Sequence, residues 1–365
     1  MEVAVVGGGL VGMATALYAA RAGAEVTVFE ADPHRGAGQS GHNSNVIHSG
    51  AFYQPGSLKA SFALRGRELL EEFIEANDLP LKRCGKLVVQ QDSESERFDR
   101  LVDRARANGV SHELLGSPAE IAAVEPMVTG QRAMLLADVA VTDFVAVLEA
   151  LEDELALAGG SVEYMARCVM EGSQLLADDH DVRSRHVVIA AGTGYNELSS
   201  DKTWRVLGFR GTYREVALPA PGRLVYGVPD PARPFLGVHL TPALDGSVAA
   251  GPTASPHPPF AWRLVPLVAR NVPAAFGEAR TQLFAGAMQK NVRRYVPDAR
   301  VERGIFKSGV RAQAVDRRGR FVDDFVIVRE PGVTAVVNAP SPAATACLAI
   351  GEHIAREVLE QMATP

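Results

Sequence analysis

The chain has 365 residues, 47% of them apolar and 22% charged, with a net charge of −6. That length suits about two domains and a large buried core. The acidic balance offers no basic field for nucleic acid, which excludes the usual electrostatic footprint of DNA- and RNA-binding proteins.

Glu2-Val3-Ala4-Val5-Val6 reads as a short buried strand. It runs into Gly7-Gly8-Gly9-Leu10-Val11-Gly12 and an Ala-rich helix to about Gly23, then a second strand, Glu25 to Phe29, that ends in Glu30. This is a βαβ unit with G-x-G-x-x-G at its first turn and an acid at the tip of its second strand. Gly7 makes the tight turn, Gly9 lets a pyrophosphate approach the backbone, and Gly12 lets helix pack on strand. Free N–H groups at the helix start hold phosphate, and Glu30 can accept hydrogen bonds from a ribose diol. NAD and FAD share this fingerprint, and a glycine-rich turn without nucleotide is the plain alternative.

Ala31 to about Gly56 is a loop rich in Gly, Ser, His and Asn, long enough to expect a function. From Ser57 a helix is predicted, with Leu58, Phe62, Leu69 and Phe73 on one stripe. Gly85 to Gln90 reads as a strand and Phe98 to Asn108 as a helix. Ser117-Pro118-Ala119-Glu120 is a capping box that starts another. Thr142 to Ala158 is amphipathic, with Phe144, Leu148, Leu151 and Leu155 inward and Gly159 as its stop. Two short strands are expected between Ser161 and Leu176. Arg185 to Gly192 reads as a buried strand ending in a small-residue turn, where a parallel sheet meets its ligand crevice.

From Val206 to Ala250 the pattern changes to strands and turns, with strands at Arg214–Leu218, Phe235–Leu240 and Ser247–Ala250. Pro252 to Pro259 is a Pro-rich loop, and Glu278 to Tyr295 reads as helical. Strands follow at Phe325–Val328 and Thr334–Val337. Ser341 then caps a last helix, with Pro342 in its first turn, running to about Leu359. Asp323 and Asp324 read as turn caps. The nucleotide-binding half is therefore discontinuous, with an antiparallel part inserted between its pieces.

Cys84, Cys168 and Cys347 lie far apart, form no CxxC and are odd in number. They predict buried free thiols in a reducing cytoplasm rather than a disulfide framework. No basic region precedes the first apolar run, so no signal peptide is expected. No stretch approaches the ~20 apolar residues of a membrane span, which leaves peripheral membrane contact open. No His/Cys/Asp cluster has metal spacing, and no Ser-centred nucleophile elbow is present.

The loop reads Gly41-His42-Asn43-Ser44-Asn45-Val46-Ile47-His48-Ser49-Gly50-Ala51-Phe52-Tyr53, followed by Gln54-Pro55-Gly56-Ser57-Leu58-Lys59-Ala60. Here the chain resembles the FAD-dependent L-2-hydroxyglutarate oxidase/dehydrogenase family, within the D-amino-acid-oxidase-like flavoproteins. The resemblance continues at Arg83 to Leu87, at Val228 to Pro231, at Pro234 to His239, at Gly309 to Gln313, at Val322 to Phe325 and at Asn338 to Thr345. It thus spans nearly the whole chain. Two departures stand out: Asn45 where the family usually has Gly, and a region from about Pro252 to Phe306 that looks shorter than usual.

The resemblance implies FAD and an α/β (α+β) fold: a Rossmann-like FAD-binding domain with an inserted, mainly antiparallel β substrate domain. The expected division is 1–82, 137–205 and 300–365 for FAD, and 83–136 and 206–299 for substrate. On this reading Ser40, Asn43, Ser44 and Asn45 pass the flavin, and Ala191 and Gly192 lie along the FAD pyrophosphate or adenine side. Val169 reaches the adenine, and Gly309 belongs to the cofactor set. The helix start at Pro342, with amides of Ala343, Ala344 and Thr345, would favour the negative charge of reduced flavin.

His48 would take the proton of a 2-hydroxy acid as hydride moves to flavin N5; a hydrogen-bonded loop histidine and a flavin attachment point are its alternatives. Arg311 would clamp a carboxylate by two parallel hydrogen bonds, against a surface ion pair. Tyr53, His239 and Lys59 are weaker substrate-binding candidates, each with a packing or solvated alternative. Reduced flavin would pass electrons to oxygen, a quinone or a carrier. Oxidation of another alcohol or an amine, an NAD-only dehydrogenase and a non-catalytic flavin-binding protein are the competing readings.

Overall fold

The computed structural model describes residues 2–217, 219–230, 236–257 and 285–363. Two large sheets organise it. The first runs in the order β21 (Val326–Glu330), β22 (Val333–Asn338), β13 (His186–Ile189), β1 (Glu2–Val6), β2 (Glu25–Glu30) and β9 (Ser161–Tyr164). All its pairings are parallel except β21 with β22. Both faces are covered, which is why β1 and β13 are near-continuous runs of Val and Ile rather than alternating strands.

One face carries α1 (Leu10–Arg21), α5 (Phe144–Leu157) and α8 (Ala343–Ala363), whose Leu17, Leu151 and Ile350 are fully buried with Val5 and Val28. α2 (Leu58–Ala76) packs on α8 so closely that a Cβ on Gly66 would lie 2.5 Å from Ala346 Cα. The other face is covered by a meander of β10 (Cys168–Glu171), β11 (Gln174–Ala177) and β12 (His180–Val182), together with the short helix α6 (Tyr195–Leu198).

The second sheet centres on β14 (Trp204–Ala217). Its order is β18 (Ser255–His257), β14, β17 (Val248–Gly251), β16 (His239–Pro242), β15 (Leu224–Gly227), β5 (Lys86–Gln90), β7 (Arg132–Leu136) and β6 (Glu113–Leu115). β19 (Arg300–Val301) and β20 (Lys307–Asp316) also pair with β14, and only β15 with β5 is parallel. Helices α3 (Ser95–Ala107), α4 (Pro118–Val124) and α7 (Ala285–Val292) flank it. A small sheet of β3 (Val46–Ile47), β8 (Ala140–Thr142) and β4 (Leu81–Arg83) carries the His48 loop.

Several expectations change. Leu58 is 40% exposed; the buried face of α2 is Lys59, Ala63, Gly66, Leu70 and Phe73, because it meets α8 through small residues. Three strands, not two, lie between Ser161 and Ala177, since only β9 joins the parallel sheet and the others form a hairpin. Residues 255–257 of the Pro-rich loop form an edge strand, where missing amides of prolines can face outward. The strand expected at Phe235–Leu240 begins only at His239, and 231–235 lie outside the described residues. So do 258–284, which hold much of the region expected to be shortened and the start of the Glu278–Tyr295 helix. The last helix begins at Ala343: Ser341 and Pro342 precede it across a cis bond, so Pro342 is not in its first turn.

Asp324 acts as a cap, though of a helix start, while Asp323 instead accepts from the Lys59 ammonium at 2.8 Å. Asp324 accepts from the Leu58 and Lys59 amides at 3.0 and 2.8 Å, at the start of α2. Its partner at that end is Ser57, which accepts from Ala60 N at 3.2 Å. The three cysteines are free and buried. No helix among the described residues is long and apolar enough to cross a membrane.

Candidate active site

The first turn of the parallel sheet is built by close approach. Gly7 has φ +109°, and a Cβ there would lie 2.6 Å from the Ala190 carbonyl oxygen. A Cβ on Gly12 would collide with the Gly7 carbonyl. Gly9 is the N-cap of α1 and supplies no side-chain cap, so first-turn amides other than that of Leu10 stay available to an incoming anion. The Leu10 amide donates to Ser40 Oγ at 3.0 Å, which brings the following loop over the helix start. Glu30 turns toward the same turn: its Oε2 accepts from Gly8 N and its Oε1 from Asp32 N, each at 2.9 Å. The turn after β13 completes the rim, with Gly192 at φ +54° and the Gln39 amide beside it. Val169 lies on β10 with its side chain 42% exposed.

Within the loop, Asn43 Nδ2 donates to Ser40 O at 2.6 Å and Asn43 Oδ1 accepts from Asn45 N at 2.7 Å. Asn45 has φ 59°, a left-handed conformation that Gly adopts freely and Asn tolerates better than most residues. The departure at this position is thus one that the backbone can accommodate. His42 is crossed closely by β20: a Cβ on Gly309 would collide with the His42 carbonyl.

The other end of the chain fastens the loop. His48 N donates to Thr345 Oγ1 at 3.0 Å, and Thr345 Oγ1 donates to Val46 O at 3.3 Å. Thr345 is fully buried in the first turn of α8, beside Ala343 and Ala344. Ser341 hydrogen-bonds the Tyr53 hydroxyl, whose pKa burial raises.

Around His48 a set of buried polar groups gathers from β5, β14, β15, β16 and β20. Burial, with the Lys86 charge and His239 adding to it, holds the His48 imidazole well below its ordinary value. His239 stacks on Tyr226, centroids 3.9 Å apart and 25° from parallel. Burial lowers its pKa to about 3, and Lys86 and Arg311 push the same way. Its Nδ1 lies 3.0 Å from Gly237 O. A carbonyl only accepts, so Nδ1 carries the proton and Nε2 keeps the lone pair. Tyr213 is hydrogen-bonded to Ser44 and feels the Arg311 charge, while burial raises its pKa. Arg311, opposite Phe209 in the β14 ladder, donates from Nη2 to Thr253 O at 3.2 Å.

The chain therefore brings His48, His239, Tyr53 and Arg311 to one region. Lys59 is drawn aside: its ammonium bonds Asp323 Oδ1 at 2.8 Å, although it also lies 5.7 Å from the Tyr53 ring centroid. Lys86, Tyr213 and Tyr226, none of them among the expected site residues, lie in the same group. For Lys86 the signals were its place in the Arg83 to Leu87 stretch and a lysine heading an otherwise apolar run, Lys86-Leu87-Val88-Val89. A cavity of 180 Å³ lies behind the Tyr226–His239 pair, lined also by Val228, Leu236, Arg97 and Arg294. No metal-holding group of His, Cys, Asp or Glu occurs among the described residues.

A family model described as FAD dependent oxidoreductase, of the DAO type, matches residues 2–357. The chain belongs to this family. The flavoprotein is 34% identical to the L-2-hydroxyglutarate dehydrogenase of Salmonella houtenae, over 97% of this chain and 92% of that protein. It is 31% identical to the mitochondrial L-2-hydroxyglutarate dehydrogenase of Homo sapiens, over 99% and 89%. In fold it is similar to the FAD-bound L-alpha-glycerophosphate oxidase of Mycoplasma pneumoniae, with TM-score 0.78 and 21% identity over 99% of this chain and 94% of that one. The glycine oxidase of Geobacillus kaustophilus follows at TM-score 0.76 and 18% identity, over 98% and 94%. FAD fits the geometry of this flavoprotein: Gly7 and Gly12 let the β1 turn and the α1 start pack backbone to backbone, and Gly9, the N-cap, puts no side chain over that start, where a pyrophosphate would sit.

Proposed function

We propose that the protein oxidises the CH–OH group of a 2-hydroxy acid, with L-2-hydroxyglutarate as the prototype. The observation that carries this is His48: an imidazole fixed through its backbone to Thr345, its pKa held low by burial, and beside His239, on which the Arg311 charge acts. The names of the curated relatives support it.

FAD when bound supplies the hydride acceptor. Gly7, Gly9, Gly12, Glu30, Ser40, Ala191, Gly192 and Val169 would hold its adenine-and-pyrophosphate half. Asn43, Ser44, Asn45, Gly309, Pro342, Ala343, Ala344 and Thr345 would hold the flavin half. Residues 1–82, 137–205 and 300–365 would then form the cofactor part, and 83–136 and 206–299 the substrate part. Arg311 and Tyr53 orient the substrate, with Lys59 a weaker contact given its bond to Asp323. His48 takes the hydroxyl proton on a ring nitrogen. Its lowered pKa keeps that nitrogen unprotonated at neutral pH, as a general base requires.

A second reading makes His239 the base, favoured by its fixed tautomer with Nε2 free. The acceptor of the electrons would be oxygen, a quinone or a carrier, and the free buried thiols support a reducing, cytoplasmic setting.

The test is anaerobic flavin bleaching against a panel of substrates. L-2-hydroxyglutarate should bleach the flavin faster than other alcohols or amines. Bleaching by one of those with none by L-2-hydroxyglutarate would overturn the proposal.

A further inference from the structure

Among the described residues two lysines are buried below 10% exposure, and they are treated differently. Lys59 has its carboxylate, Asp323. Lys86 is only 1% exposed, and no carboxylate among the described residues pairs with it. Its Nζ lies 4.3 Å from the Tyr226 ring centroid and 4.8 Å from that of Phe52. Two ring faces are a partial substitute for a counter-ion. A buried cation without an anion is costly, and proteins ordinarily pair it or let it lose its proton. Burial does lower the Lys86 pKa, to about 7.

The location is what gives this meaning. β5 and β15 pair in parallel, with Lys86 opposite Leu224 and Val88 opposite Tyr226. Lys86, Val88 and Tyr226 therefore share one sheet face. Tyr226 in turn stacks on His239, and the Lys86 charge acts on both His48 and His239. Arg311 acts on His239 as well. Two cations thus bear on one imidazole, and Lys86 is the one that β-sheet packing has left without an acceptor.

We infer that Lys86 is a specificity-determining residue that receives an anionic group of the substrate, a second carboxylate besides the one assigned to Arg311. This rests on the 2-hydroxy-acid reading above and adds to it the residue that separates dianionic from monoanionic acids. An incoming carboxylate supplies the missing counter-ion. A charge-assisted bond made in a water-poor site is among the stronger ones available. The bland alternative is a lysine that only braces Phe52 and Tyr226.

Glutarate and butyrate serve as probes, because they differ at the second carboxylate and carry no oxidisable hydroxyl. Their dissociation constants are measured by calorimetry on the FAD-loaded protein, wild type, Lys86→Met and Lys86→Arg. Bound-flavin absorbance and melting temperature check that each variant is folded. Wild type should bind glutarate at least tenfold tighter than butyrate. Lys86→Met should lose at least tenfold in glutarate affinity while butyrate stays within twofold, and Lys86→Arg should recover part of the loss. Equal binding of both probes by wild type, or unchanged glutarate binding in folded Lys86→Met, overturns the inference. Flavin bleaching is a separate readout: if no 2-hydroxy acid reduces the flavin, the reaction assignment fails while the anion result stands on its own.

Discussion

The Tyr226 ring lies against the His239 imidazole, centroids 3.9 Å apart, while Nδ1 of that imidazole is turned to the Gly237 carbonyl. Stacking on one side and a main-chain acceptor on the other fix both the plane and the tautomer of His239. Among the described residues His48, by contrast, is fixed only through its backbone. The two imidazoles can therefore be told apart by substitution. His48→Gln should lower kcat by at least a hundredfold, the lower range for a lost general base. His239→Asn, which keeps a donor toward Gly237, should cost less than tenfold. Steady-state kinetics checks this, and the opposite order would move the base to His239.

The pH profile carries a sign. Burial depresses the His48 pKa, so the proton-accepting form persists below the ordinary histidine value of 6.5. The acidic limb of kcat/KM should therefore fall below pH 6.5, not at it. An acidic limb above 6.5 would show that another group controls the proton.

Lys86 also titrates within reach. Its ammonium loses its proton near pH 7 in the free protein, with His48, His239 and Cys84 as its titrating neighbours. Affinity for glutarate should weaken as pH rises from 6 to 8, while butyrate affinity changes less. Calorimetry at three pH values tests it.

Stability gives an independent measure of the same residue. A lysine whose folded pKa lies below its unfolded value of 10.5 holds fewer protons folded than unfolded. Keeping it charged below pH 7 opposes folding. Lys86→Met should therefore stabilise the protein at pH 6, on the order of 2 kcal/mol, read as a higher melting temperature. A clear loss of stability would mark Lys86 as a structural brace.

Gly12→Ala should be poorly tolerated, because its methyl group would meet the Gly7 carbonyl. About 1–3 kcal/mol is the usual cost of such overpacking, and flavin absorbance per protein should fall with it. Asn45→Gly should do little: φ 59° suits glycine, and the change should stay within about 1 kcal/mol with the substrate preference kept.

The parts that were legible in the sequence are the local ones. The glycine turn, the strand before it and Glu30 lie within thirty residues, and each has a residue type that only one local geometry needs. Asp324 was readable as a cap, though not that it caps a helix 266 positions earlier. Of the expected stripe Phe62, Leu69 and Phe73 do pack on the core and Leu58 does not; the part that was missed is the contact through Gly66 and Ala63, since small residues carry no hydrophobic signal. Lys86 and Tyr226 meet only through a parallel pairing of distant strands, and a two-residue alternation does not reveal which strand will be the neighbour. Arg311 was picked out by its motif. The long ladder with β14 that aims it was not, since Gly309 and the small residues around it look like a turn.

The hydrogen bond from His48 to Thr345 crosses 297 positions of sequence. During synthesis the glycine fingerprint leaves the ribosome well before Thr345 and has its strand, helix and acid within reach at once. The histidine loop must wait for the first turn of α8 to emerge before its backbone is tied. A chain cut short just before Thr345 would keep the nucleotide signature and lack the anchor of its reacting loop, so fragments of this protein are expected to look like flavoproteins without behaving as oxidoreductases.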